Sequence, residues 1–114
     1  MHPFLRPINK CDVSTDFKYR PELGADGEVI GFIDFGQVVG YTYFTNSTTD
    51  IHILFMEILE SYRRQGMGKD MIRYLLDKHK GKKLRLIPGS YEAAEYFKNR
   101  LKDGTLPSDT SLEG

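Results

Sequence analysis

Eight consecutive residues decide the fold of this chain: Tyr62-Arg63-Arg64-Gln65-Gly66-Met67-Gly68-Lys69. They lie between an apolar run typical of a strand, residues 51–59, and a run with helical periodicity, residues 67–80. A glycine-rich turn that opens a helix presents backbone N–H groups and the positive end of the helix dipole to an anion. Gly66 and Gly68 carry no Cβ, so the sequence predicts that a phosphate group can approach this turn closely.

Two common phosphate loops do not match this stretch. A Walker loop needs Ser or Thr after its lysine, but Asp70 follows Lys69 here, and a dinucleotide fingerprint needs a glycine where Met71 stands. The form [RQ]xxGx[GA] does match residues 63–68. It resembles the acyl-CoA pyrophosphate loop of the GNAT superfamily of N-acetyltransferases. The alternative is a plain strand–helix turn whose glycines bind nothing.

Composition indicates one small globular domain over residues 1–114, with a core at about residues 28–102. Hydrophobic residues make up 39% and charged residues 28% of 114 residues, which is ordinary for such a domain. We find no apolar run near the roughly 20 residues of a membrane span and no signal-peptide pattern, so no membrane association is expected. Cys11 is the single cysteine, and a cytoplasmic location is expected.

Charge is unevenly distributed, although the formal net charge is zero. Residues 62–85 contain nine basic and two acidic residues, a net of +7, and the remainder carries −7. The positive segment coincides with the glycine turn and would attract a polyphosphate. The alternative is a solvated helix face. Nucleic acid is a less favoured partner because the basic residues are not interleaved with aromatic ones.

Periodicity predicts three strands in succession at residues 28–35, 38–45 and 51–59, followed by a helix at 67–80, a strand at 83–87 and a helix at 92–102. Residues 1–16 are expected to be irregular, 17–20 to form a short strand and 103–114 to be a disordered tail. The predicted fold class is α+β (mixed α/β): an antiparallel meander followed by strand–loop–helix–strand–helix. This order resembles the acyl-CoA N-acyltransferase fold of the GNAT superfamily, truncated at both ends.

The resemblance implies that acetyl-CoA or CoA binds between the strand before the loop and the strand after the helix. It assigns pantetheine contacts to Met56 and Ile58. It assigns the pyrophosphate to the loop residues Arg63, Arg64, Gln65, Gly66, Met67, Gly68 and Lys69. The implied reaction is direct attack of a primary amine on the thioester, without a metal ion. Since the family's acceptor-site helices are missing, the acceptor pocket would be open or completed by a second copy in a homodimer.

The resemblance also gives three catalytic candidates. His52 stands eleven residues before Arg63, where histone-acetylating members carry a glutamate base, and imidazole suits proton transfer near neutral pH. Glu57 is the second candidate, because a carboxylate inside an apolar strand needs a reason. On strict alternation the two would lie on opposite faces, unless a bulge intervenes. Tyr96 lies one position before the family's general-acid tyrosine. A CoA-binding module or adaptor without turnover is therefore the alternative function.

Overall fold

The computed structural model describes residues 4–113 as one six-stranded sheet with two helices. The strands are β1 (Phe4–Ile8), β2 (Glu28–Asp34), β3 (Gln37–Asn46), β4 (Asp50–Ile58), β5 (Lys83–Leu86) and β6 (Ser111–Leu112). The helices are α1 (Met67–Lys78) and α2 (Tyr91–Lys102), and short 3-10 turns span Lys10–Asp12 and Glu60–Tyr62. No helix in this part of the chain is long and apolar enough to cross a membrane.

The strands lie in the sheet in the order in which they occur in the chain. β1 to β4 pair antiparallel, whereas β4, β5 and β6 pair parallel. Because β5 is parallel to β4, the chain must cross over between them, and α1 forms that crossover. The predicted meander and the following strand–loop–helix–strand–helix are confirmed.

α1 forms because apolar residues recur along one side of residues 67–78, and Met71, Ile72 and Leu75 are fully buried. α2 begins at the predicted N-cap: the Ser90 hydroxyl accepts a hydrogen bond from Ala93 N at 3.1 Å. Both helices pack on one face of the sheet, where α1 and Phe97 of α2 share a core with the strand residues Ile51, Ile53, Leu84 and Leu86.

The opposite face is covered by the segment between β1 and β2. Val13 and Phe17 from this segment pack against Val29, Tyr41 and Tyr43 of the sheet. Residues 9–27 contain only the 3-10 turn and no α-helix. The two helices that the resemblance leads one to expect between the first strands are absent from residues 9–27, and an irregular segment covers the sheet instead.

Three expectations about the ends were wrong. Residues 4–8 form β1 rather than an irregular start, and residues 17–20 form no strand. Within the tail expected to be disordered, residues 103–113 include β6 and Leu106, which is 1% exposed. Both edge strands depend on hydrogen bonds to distant partners, which local periodicity does not reveal. Residues 1–3 and 114 lie outside the described residues.

Candidate functional site

The central feature of the site is a gap between two parallel strands. β4 and β5 are paired only from Asp50↔Lys83 to Ile53↔Leu86. β5 ends there, while β4 continues to Ile58 and stays paired with β3 on its other side. The last five residues of β4 therefore have one edge that β5 does not cover.

The hydrogen bonding of β4 shows which backbone groups face this open edge. Leu59 N donates to Val39 O at 2.9 Å, so the peptide groups of residue 59 and, by alternation, of residue 57 point toward β3. The N–H and C=O groups of Met56 and Ile58 consequently point to the open edge. Arg63 Nε donates to Ile58 O at 2.8 Å, which is consistent with this direction. Met56 and the N–H of Ile58 thus present unpaired strand edge, as a ligand amide would require, whereas the Ile58 carbonyl is occupied by Arg63.

The glycine turn follows directly, with two residues in the left-handed region. Arg64 has φ 65° and Gly66, the N-cap of α1, has φ 82°. No side chain of residues 4–113 caps this helix start. The N–H groups of Met67, Gly68 and Lys69 precede the first intrahelical bond, from Asp70 N to Gly66 O, so they are available to an external acceptor.

Glycine is required at positions 66 and 68 for different structural reasons. A Cβ on Gly66 would meet open space, so this position needs glycine for its positive φ and not for lack of room. A Cβ on Gly68 would lie 2.2 Å from the Tyr96 hydroxyl oxygen and 3.0 Å from its Cζ. The space beside the Gly68 Cα is therefore already occupied by the Tyr96 side chain of α2. Glycine at this position accommodates Tyr96, whether or not a phosphate also approaches.

The other loop side chains point in several directions. Arg64 is exposed, and Gln65 Nε2 lies 3.5 Å from Ser61 O. Met67 is 5% exposed and belongs to the core, so only its backbone can meet a ligand. Lys69 Nζ lies 3.5 Å from the Asp103 carboxylate.

His52 and Glu57 lie on the same face of the sheet because β4 contains a bulge. Phe44 pairs with Ile53 and Tyr43 pairs with Phe55, which leaves Leu54 as an extra residue. Ile51 and Ile53 face the helices before the bulge, as Met56 and Ile58 do after it, so His52 and Glu57 both face the other side. The expectation of opposite faces is corrected by this irregularity. Their Cα atoms are separated by roughly 13–17 Å of strand.

The surroundings of these two side chains differ. Both oxygens of Glu57 accept Lys18 N, at 3.1 and 3.2 Å. Lys18 belongs to the covering segment between β1 and β2. The residue after it, Tyr19, stacks on Phe55 with ring centroids 4.8 Å apart. His52 pairs in register with Arg85 of β5, and its Nε2 is buried without a hydrogen-bond partner among the described residues.

The Tyr96 hydroxyl lies against the first turn of α1, next to Gly68. Burial raises the pKa of Tyr96, and the guanidinium of Arg100, 4.9 Å from the ring centroid, opposes this effect. The phenol is therefore protonated at neutral pH and can donate a proton or a hydrogen bond.

Sequence reasoning missed two connections around the loop. The Tyr62 hydroxyl donates to Asp34 at 2.5 Å, which joins the 3-10 turn before the loop to the end of β2 and raises the pKa of Tyr62. Asp103, at the end of α2, reaches Lys69 in the first turn of α1, and Arg100 supports it from within α2. Neither connection has a local sequence signal, because each joins segments that are about 30 residues apart.

Two surface cavities lie elsewhere on the molecule. One of about 310 Å³ is lined by residues that include Arg6, Asp12 and Gln37, and one of about 540 Å³ surrounds Lys10 and Cys11. Neither includes a residue of the glycine turn. The candidate site consists of the open edge of β4 and the start of α1.

Comparisons with known proteins agree with this geometry. The family model described as "Acetyltransferase (GNAT) family" matches residues 5–98. A search of curated proteins finds no match. Solved structures show the same fold at low identity. E. coli YhhK bound to coenzyme A has a TM-score of 0.71 and 15% identity, with 90% of this chain and 89% of that chain covered.

Two further structures are similar over nearly their whole length. AAC(6')-Iy, in complex with a bisubstrate analogue of CoA and acetylneamine, has a TM-score of 0.67 and 16% identity, covering 100% of this chain and 97% of that one. The aminoglycoside acetyltransferase HMB0005 from an uncultured soil metagenomic sample has a TM-score of 0.66 and 16% identity, covering 91% of each. Because the family model spans most of the sequence, the chain belongs to the GNAT family of acetyltransferases.

Proposed function

We propose that this chain is an N-acetyltransferase that takes an acetyl group from acetyl-CoA and transfers it to a primary amine. The observation that carries the proposal is the continuity of two features. The uncovered edge of β4 at Met56 and Ile58 leads into the uncapped start of α1. An extended amide-containing chain that ends in a pyrophosphate has complementary groups for both. The CoA complexes of similar folds support this assignment.

Each part of the ligand has a partner of suitable chemistry. The amides of pantetheine would pair with the free backbone groups of Met56 and with the N–H of Ile58, and pairing with Ile58 O would require Arg63 Nε to move away from it. The pyrophosphate would accept from the N–H groups of residues 64–69, next to the guanidinium groups of Arg63 and Arg64. Gln65 and Lys69 would contribute side-chain donors, whereas Met67 and Gly68 would contribute only main chain.

The reaction would proceed by direct attack. The amine nitrogen forms a bond to the thioester carbonyl carbon, and the carbon–sulfur bond breaks to release CoA as thiolate. A backbone N–H of the uncovered β4 edge would stabilise the oxyanion. The acceptor ammonium must lose one proton before attack, the nitrogen loses a second as the amide forms, and the thiolate gains one, so one proton is released overall.

His52 and Glu57 are the two proposed bases. His52 has a free and buried Nε2, while Glu57 lies beside the uncovered part of β4 but is engaged by the Lys18 amide. Tyr96 is the proposed proton donor to the thiolate, since its hydroxyl is protonated at neutral pH. The acceptor side has no helical cover in the described part of the chain, so a second copy is proposed to complete it.

The deciding experiment measures release of free thiol from acetyl-CoA with a panel of primary amines that includes an aminoglycoside. His52→Ala should lower turnover by roughly 10²–10⁴-fold if imidazole is the base, with little change in CoA affinity. Glu57→Gln is the matched variant: if it alone abolishes turnover, the base is Glu57. Equal turnover in both variants and wild type would exclude both bases.

A CoA-binding module without turnover is the second candidate function. It is favoured by the engagement of Glu57 and by the contact of Tyr96 with the phosphate loop. Calorimetry separates the two candidates, because the module would bind CoA but release no thiol with any amine. Absence of CoA binding would overturn both.

A further inference from the structure

Two side chains of α2 and its C-cap, Tyr96 and Asp103, meet the first turn of α1, and Arg100 contacts both of them. Tyr96, Arg100 and Asp103 are spaced i, i+4 and i+7, so they lie on one side of the helix. The Tyr96 hydroxyl adjoins Gly68, and the Arg100 guanidinium lies 4.9 Å from the centre of the Tyr96 ring. Asp103 lies 3.5 Å from Lys69 Nζ.

Asp103 holds two cations at once. Its Oδ2 is 2.9 Å from Arg100 Nε and 3.5 Å from Lys69 Nζ, while its Oδ1 accepts Thr105 N at 2.9 Å. The hydrogen bonds from Thr105, followed by the charges of Arg100 and Lys69, lower the pKa of Asp103 to about 2. The carboxylate is therefore ionised near neutral pH, and both cations already have an anionic partner at the start of α1.

The Asp103 carboxylate is a partner that a phosphate group can replace. Partly exposed ion pairs such as these contribute little to stability, so little is lost when they open. Lys and Arg form charge-assisted hydrogen bonds to carboxylate and to phosphate alike, and the several phosphate groups of CoA offer more acceptor oxygens than one carboxylate. Arg100 also lies over the Tyr96 ring, whose hydroxyl adjoins Gly68, so this second contact keeps it beside Tyr96 when Asp103 releases it.

We propose that Asp103 occupies Lys69 and Arg100 until the phosphates of CoA take them, and that it thereby sets the affinity for this ligand. The inference rests on the proposed CoA binding and adds Arg100 as a further phosphate contact. Competition between a carboxylate and a phosphate for the same two cations lowers affinity without any change in the loop.

The test is Asp103→Asn, studied by calorimetry with CoA at several salt concentrations. Asparagine keeps an oxygen for Thr105 N but removes the charge. The dissociation constant should fall by roughly threefold to tenfold at low salt, and the gain should shrink as salt screens the charges. Binding of pantetheine, which has no phosphate, should stay unchanged in an NMR titration.

Asp77→Asn is the matched control, because it removes one negative charge near the other end of α1. It should leave the affinity for CoA nearly unchanged. In a Lys69→Met/Arg100→Met background, Asp103→Asn should bring no further gain. An equal gain in CoA affinity in that background would show that Asp103 simply repels the phosphates, and it would overturn the proposed competition for Lys69 and Arg100.

The remaining outcomes also decide the inference. Unchanged or weaker CoA binding by folded Asp103→Asn, checked by its thermal unfolding, overturns it while leaving CoA binding itself established. If that variant does not fold, Lys69→Met/Arg100→Met must still weaken CoA binding more than it weakens pantetheine binding; equal binding overturns the inference. No binding of CoA by the wild-type protein overturns both the inference and the proposed function.

Discussion

Replacing Gly68 with alanine tests the contact between α2 and the phosphate loop. The added Cβ would lie 2.2 Å from the Tyr96 hydroxyl oxygen, 3.0 Å from Cζ and 3.6 Å from Cε1. The first of these distances is impossible without movement of the ring, and Tyr96 is itself packed under Arg100. Overpacking of this kind costs about 1–3 kcal/mol.

Alanine also favours the helix, and this gain offsets up to about 1 kcal/mol. The two figures together span about 0–3 kcal/mol. From the middle of this range we expect Gly68→Ala to lower the free energy of unfolding by roughly 1–2 kcal/mol, which corresponds to roughly 4–8 °C in Tm for a chain of this size. Urea unfolding followed by circular dichroism measures the effect. Gly24→Ala is the control, because a Cβ there meets open space and the glycine has no positive φ.

A double-mutant cycle assigns the cost to the hydroxyl group. Tyr96→Phe removes the atom at 2.2 Å and leaves the 3.0 Å contact, so Gly68→Ala/Tyr96→Phe should recover about 1 kcal/mol relative to additivity. If Gly68→Ala is as stable as wild type, the Tyr96 hydroxyl does not occupy this position and the reasoning is refuted.

The same double variant separates the two roles of Gly68. In this variant much of the stability is recovered, but the Cβ added at position 68 would still hinder the approach of a phosphate to the first amides of α1. We therefore expect weaker CoA binding by calorimetry. Wild-type affinity in the double variant would mean that glycine is needed at this position for Tyr96 alone.

Three other predictions concern charge, acid stability and the core. Arg64→Asn tolerates the positive φ but removes a cation, so CoA affinity should fall by on the order of 1–3 kcal/mol in calorimetry, less at high salt; a salt-independent affinity would contradict it. Because the folded-state pKa of Asp103 is about 2 against the usual 3.8, its stabilising contribution is present above about pH 4 and is lost toward pH 2. Urea unfolding should show wild type and Asp103→Asn converging over that range. Leu106→Ala should destabilise by about 2–5 kcal/mol, since Leu106 is 1% exposed; an unchanged Tm would mean that the tail is not packed.

The sequence alone determined the features that depend on neighbouring residues. The glycine turn after a strand, the apolar periodicity of α1 and the Ser90 cap of α2 are local patterns, and the structure has each of them. These patterns were enough for the family and for proposing an anion site at the glycine turn, because such a site is formed by consecutive backbone groups at a helix start.

Only the tertiary structure decided the features that depend on pairing between distant segments. β1 and β6 are too short or irregular in sequence to predict, and they exist because β2 and β5 supply hydrogen-bond partners. The bulge at Leu54 arises from the register between β3 and β4, and it places His52 and Glu57 on one face.

The contacts behind the phosphate loop follow the same rule. Gly68 meets Tyr96, and Lys69 meets Asp103, across about 30 residues of chain. Sequence spacing shows that Tyr96 and Asp103 share a side of α2, but not which element that side faces. The packing of both helices on one face of the sheet sets that choice, since the buried apolar residues of α1 and α2 share a single core.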